Sequence, residues 1–121
     1  MNWYSTDEND GINEYLKQLM ISWEKEGIKS WMHAKNESII VSEFIVPEDE
    51  RNQGIGSQKM KELLDYAKAI GYRVLLTPST DFGASSLTRL KKFYKNLGFV
   101  DNKGRNKDYR TKETMIWDSN E

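Results

Sequence analysis

The residues with the clearest chemical potential are Arg51, Asn52, Gln53, Gly54, Ile55, Gly56 and Ser57. They sit between an apolar run at 39–46 and a helical stripe made by Met60, Leu63, Leu64, Ala67 and Ile70. Glycines at these positions let the backbone turn its N–H groups inward and let an anion approach without meeting a Cβ, while the helix behind them presents its positive end. Such a loop cradles a phosphate, although the same two glycines also suit a plain tight turn. The pattern G-x-x-x-x-G-K-[ST] does not occur, and Lys59 stands where a dinucleotide fingerprint needs its third glycine, so neither of those phosphate motifs applies. A second group of interest is Tyr94. A phenol, with an ordinary pKa near ~10, can hand a proton to a leaving anion in a dry site; the alternative is a core aromatic with its hydroxyl at the surface.

Other chemistries are excluded by composition. The 121 residues include no cysteine and a single histidine, His33, so disulfides, thiolate sites, multi-histidine metal centres and cysteine nucleophiles are all out of reach. His33 falls in a predicted strand, where a structural role is the default, with proton transfer a minor alternative. Eighteen basic residues face 19 acidic ones, and the net charge of −1 gives no general attraction to nucleic acid or to an anionic membrane. The acidic, polar opening residues do not resemble a secretory signal, and no run of about 18 apolar residues occurs, so the chain reads as soluble and cytoplasmic. Lys103, Arg105, Lys107, Arg110 and Lys112 with Tyr109 form a basic stretch, diluted by Asp101, Asp108 and Glu113, whose default is a solvated loop. Trp23, Trp31 and Trp117 are expected in the core.

These groups need a frame, and the hydrophobic pattern supplies one of a single domain, 1–121. Ile12, Leu16, Leu19 and Trp23 recur at helical spacing over 7–26, closed at Gly27. Residues 29–35 and 39–46 flank Asn36-Glu37 and read as a hairpin, ended by Pro47. The helix after the glycine loop closes at Gly71, and the unalternating run at 74–77 predicts a strand buried on both faces. A polar loop at 78–85 leads to a third helix on Leu87, Leu90, Tyr94 and Leu97, closed by Gly98, with final strands at 99–100 and 114–117. Strand, glycine loop, helix and buried strand make a βαβ unit in a mixed α/β fold.

In this setting the chain resembles the GNAT superfamily of N-acetyltransferases. Arg51, Gly54 and Gly56 match its R/Q-x-x-G-x-G/A signature, and Phe93-Tyr94-Lys95-Asn96-Leu97-Gly98-Phe99 is similar to its Y-x-x-x-G-F helix end. The stretch 76–115 also resembles small members of the kind encoded by phages and prophages. The resemblance covers residues 39–117 and implies a mixed twisted sheet flanked by helices, with a reduced N-terminal part. It implies acetyl-CoA as cosubstrate and no metal, with direct attack by a primary amine of a protein or small molecule. Phe44, Ile45 and Val46 would offer backbone groups to the pantetheine arm, Asn52, Gln53, Gly54, Ile55, Gly56 and Ser57 amides to the pyrophosphate, and Tyr94 the proton for the departing thiolate. An attacking ammonium must also lose a proton, since the lysine reference pKa of about 10.4 leaves little free amine at neutral pH; Glu43, Asp81 or a water chain would take it.

Two departures from the family pattern stand out. Leu87 occupies the position, seven residues before the tyrosine, where many members carry asparagine, and the region before the glycine loop is short. The acceptor is therefore not legible, and a homodimer is left open. Two other classes stay in play. One is a catalytically inactive CoA-binding or partner-binding protein on the same fold, and the other, disfavoured by charge, is a nucleic-acid-binding module using the 103–112 loop.

Overall fold

A computed structural model describes residues 9–47, 54–79 and 86–119. Helix α1 spans Asp10–Glu24 and buries Leu16, Leu19 and Trp23. It leads into a hairpin of β1 (Lys29–Lys35) and β2 (Ser38–Ile45), whose two-residue turn is made by Asn36, at φ 56°, and Glu37. Asparagine tolerates that left-handed geometry because its short polar side chain bonds locally. Helix α2 (Ile55–Ile70), strand β3 (Arg73–Leu76), helix α3 (Leu87–Asn96) and strands β4 (Val100–Asp101) and β5 (Met115–Trp117), with a 3-10 turn at Gly104–Asn106 between the last two, follow among the described residues. No helix among the described residues is long and apolar enough to cross a membrane.

All three helices end in the same way. A glycine just past each one takes a positive φ, at Gly27, Gly71 and Gly98, and the next residue's N–H reaches back five residues: Ile28 to Trp23, Tyr72 to Ala67 and Phe99 to Tyr94, at 3.0, 2.9 and 3.1 Å. Free carbonyls of the last turn are thereby satisfied. At Gly98 the close approach is as important as the dihedral: a Cβ there would lie 3.1 Å from the Trp117 ring.

The sheet runs β1-β2-β3-β5-β4, antiparallel except for the β2–β3 pair. One face carries Met32, Ala34, Ile39, Val41, Val74, Leu76 and Met115, which join residues of all three helices in a single core. Helices α1 and α2 lie together on that face, tied by the Trp23 indole N–H donating to Glu62 Oε1 at 2.9 Å and by stacking of Tyr15 on Tyr66. The expected βαβ unit is β2-α2-β3. Among the tryptophans, Trp23 is sealed and Trp117 half-buried, but Trp31 is 61% exposed and the core expectation fails for it. Leu87 is also exposed, and of α3 only Tyr94 is fully buried.

Candidate active site

The site is set by where two parallel strands part. Strand β2 pairs with β3 only over Ser38–Val41 against Arg73–Leu76, yet continues with β1 as far as Ile45. Residues Ser42, Glu43, Phe44 and Ile45 therefore have no partner on the β3 side among the described residues. Two local features mark the divergence. Trp31 pairs with Glu43 and Met32 with Val41, so Ser42 is an extra residue, a bulge that bends and twists β2. Beyond Leu76 the chain is drawn the other way: the Thr77 hydroxyl donates to Glu113 Oε2 at 2.8 Å and accepts from the Thr114 N–H at 3.2 Å. In an antiparallel strand alternate residues turn N–H and C=O away from their partner, so this stretch of β2 offers peptide groups to a ligand in the gap.

Helix α2 brings its N-terminus to the same place. Gly54, at φ 77°, precedes the first turn, and its carbonyl accepts from the Gln58 N–H at 3.0 Å. The N–H groups of Ile55, Gly56 and Ser57 have no acceptor within the helix, no side chain among the described residues caps them, and the first turn holds no acid. By contrast α3 is capped by the Ser86 hydroxyl. Open space surrounds Gly54 where a Cβ would project. Gly56 answers to a different need from the one its motif suggests: it is buried, and a Cβ on it would lie 3.1 Å from Val46 Cγ2 and 3.6 Å from the Phe93 ring. Its smallness lets α2, the end of β2 and α3 meet. The donors and the charge at this helix end suit a phosphate anion.

From α3, Phe93 places Tyr94 beside this junction. Tyr94 is 4% exposed and packs edge-on against Phe93 and Phe99, at ring separations of 5.1 and 5.4 Å. Its hydroxyl bonds to none of the described residues, but neither is it one of the sealed, orphaned polar atoms, which are Ser30 Oγ and Ser119 Oγ. Burial pushes the phenol's pKa well above the ordinary tyrosine value, so the group holds its proton at neutral pH and can act as a donor.

The remaining expected residues divide cleanly. Phe44 is half-buried with its ring edge-on to Trp23 at 5.6 Å, and Ile45 and Val46 are half-buried at the strand end. Glu43 is half-buried, on the sheet face opposite the helices, and its carboxylate has no ion-pair or hydrogen-bond partner among the described residues. Arg51, Asn52, Gln53 and Asp81 lie outside the described residues. The basic stretch is spoken for in part: Asp108 pairs with Arg110 and Arg73, each at 3.0 Å, and Asp101 with Lys95 at 3.1 Å. Arg110 above all, helped by Arg73, holds the Asp108 carboxyl below the usual carboxylate range. A wide groove lined by Lys35, Ile40, Arg73, Leu75 and Arg110 opens at the other end of the sheet, away from the divergence. Sequence reasoning missed Trp31 at this site. The signal was present, because Lys29, Trp31, His33 and Lys35 alternate with the buried Met32 and Ala34.

A five-strand mixed sheet whose parallel β2–β3 pair parts beside the N-terminus of α2 places the chain in a mixed α/β class. The model of the acetyltransferase (GNAT) domain matches residues 16–101, and the chain belongs to that family. Among solved structures, similarity extends to the ribosomal-protein-S18-alanine N-acetyltransferase from Escherichia coli, at 17% identity and TM-score 0.50. It extends also to Ard1 from Thermoplasma volcanium, at 22% identity and TM-score 0.46. Each comparison covers 74% of this chain, which spans only 59% of the other. The likeness is one of fold. No curated protein matches.

Proposed function

We propose that the chain transfers the acetyl group of acetyl-CoA to a primary amine. One observation carries this reading: the N-terminus of α2, free of acid in its first turn and uncapped by any described residue, lies where β2 and β3 part, next to strand groups with no β3 partner among the described residues. The N–H groups of Ile55, Gly56 and Ser57 would hold the diphosphate, and the β2 edge at Phe44, Ile45 and Val46 the pantetheine amides. Acetyl-CoA supplies an activated thioester carbon. Glu43 takes one proton from the incoming ammonium, the free amine nitrogen bonds to that carbon, and the carbon–sulfur bond breaks. Tyr94 gives its proton to the thiolate, the nitrogen sheds its second proton as the amide forms, that proton restores the Tyr94 phenol, and the free thiol leaves. Arg51, Asn52 and Gln53 belong to the same proposal as further anion contacts.

Thiol release from acetyl-CoA with a panel of primary amines tests the reading. Turnover is expected, and Tyr94→Phe should lower kcat by about 10- to 100-fold with little change in the KM for acetyl-CoA, as for loss of an acid that acts mainly in the transition state. Acetyl-CoA binding without turnover by any amine would favour a partner-binding protein, and no binding would remove both readings.

A further inference from the structure

Helices α1 and α2 occupy one face of the sheet, which leaves the other face as the approach for an amine. That face is where the bulge puts Glu43, and directly across the strand pair from Glu43 stands Trp31. Residues paired in this way share a face, with Cα atoms about 5 Å apart. The Trp31 indole is 61% exposed and makes no ring contact with any described residue, and the Glu43 carboxylate has no partner among them. An exposed indole on an edge strand is an aggregation liability unless it has a ligand. An aromatic ring and a free carboxylate side by side recognise one kind of group: the ring attracts a cation through its π-face and the carboxylate through its charge. Along β1 the same face carries Lys29 and Lys35, on either side of Trp31 and His33. They would repel a second positive charge on the ligand.

Resting on the transfer reading above, we infer that Trp31 is an acceptor-binding residue. With Glu43 it receives a single alkylammonium, a primary amine on an uncharged aliphatic arm such as a lysine side chain, in preference to a polyamine. The ring holds the arm and the ammonium while Glu43 waits to take the proton. Trp31 itself transfers nothing, and its effect belongs in the acceptor KM.

The test uses the full chain with acetyl-CoA and two probes, an Nα-acetylated lysine amide and spermidine. Trp31→Ala should raise the KM for the lysine amide about fivefold or more, the scale of a lost cation–π contact, with kcat and the KM for acetyl-CoA within twofold of wild type. Trp31→Phe should recover most of the loss, and spermidine should be the poorer acceptor for the wild type. Because Trp31 lies outside the core, both variants should melt close to the wild type. A second readout does not need turnover: the lysine amide should alter tryptophan emission in the wild type and not in Trp31→Phe. An unchanged acceptor KM, an equal shift in the acetyl-CoA KM, or emission changes that survive Trp31→Phe would overturn the assignment. Failure of the wild type to bind acetyl-CoA at all, seen as no melting shift, would instead strike the transfer reading on which it rests.

Discussion

Replacing Gly98 by alanine tests how the fold positions Tyr94. Gly98 follows α3, its φ of 105° lies in the region that L side chains rarely adopt, and a Cβ would sit 3.1 and 3.2 Å from two atoms of the Trp117 ring. The backbone strain is about 1–3 kcal/mol, and forcing a methyl against a packed indole adds about 1–3 kcal/mol. Trp117 cannot yield freely, since it is half-buried and its backbone pairs with Val74 in the sheet. A cost of about 2–5 kcal/mol follows, or a fall in Tm of roughly 10 °C or more for a domain of this size. Urea denaturation measures it directly. In a Trp117→Leu background the same substitution should cost only the strain, about 1–3 kcal/mol, so the double-mutant cycle isolates the clash. Because the Phe99 N–H closes α3 on the Tyr94 carbonyl at 3.1 Å, kcat should fall with the loosened turn while the KM for acetyl-CoA changes little. A Gly98→Ala protein within about 0.5 kcal/mol of wild type, or a cost unaffected by Trp117→Leu, would refute the reasoning.

Glu62→Ala should destabilise by about 1–3 kcal/mol, because it orphans the indole N–H of the fully buried Trp23; Glu62→Gln, which keeps an acceptor, should recover most of that in the same melts. Asp108 is held low by Arg110 and Arg73, so its folded pKa lies below the unfolded one near ~3.9 and its contribution is present at neutral pH. Stability should fall as acid is added below about pH 5, and Asp108→Asn should flatten that part of a stability-versus-pH curve, at a neutral-pH cost of about 1 kcal/mol or less. Tyr94 is shifted the other way: its protonated form is favoured in the folded state, so stability should decline as pH rises above ~10, and Tyr94→Phe should remove that decline. Glu43→Gln should lower kcat by about 100-fold or more, leaving the acetyl-CoA KM near wild type.

Helix α2 and the parallel strand after it were legible because their signals are local: a 3.6-residue stripe, a glycine at the end, an unbroken apolar run at Val74, Leu75 and Leu76. The same holds for α1 and the hairpin turn. The bulge at Ser42 was not legible. Ile39, Ile40 and Val41 are all apolar, so no alternation marks the register, and an inserted residue is visible only once β1 is paired beside it. That single residue sends Glu43 to the open face while keeping Phe44 on the core side. Gly56 shows a second limit. The motif points to a close anion, whereas the tertiary contacts with Val46 and Phe93 account for the missing Cβ by themselves. Trp31 was misplaced because an average tendency of tryptophan to be buried was given more weight than its own strand's alternation with Met32 and Ala34.

The most direct measurement of the central claim is an amide ¹⁵N–¹H titration of the protein with acetyl-CoA. The largest shifts should fall on Ile55, Gly56 and Ser57, whose N–H groups have no acceptor in the helix, and along β2 from Ser42 to Ile45. Saturating acetyl-CoA that leaves those amides unmoved, whether or not others respond, would contradict that claim.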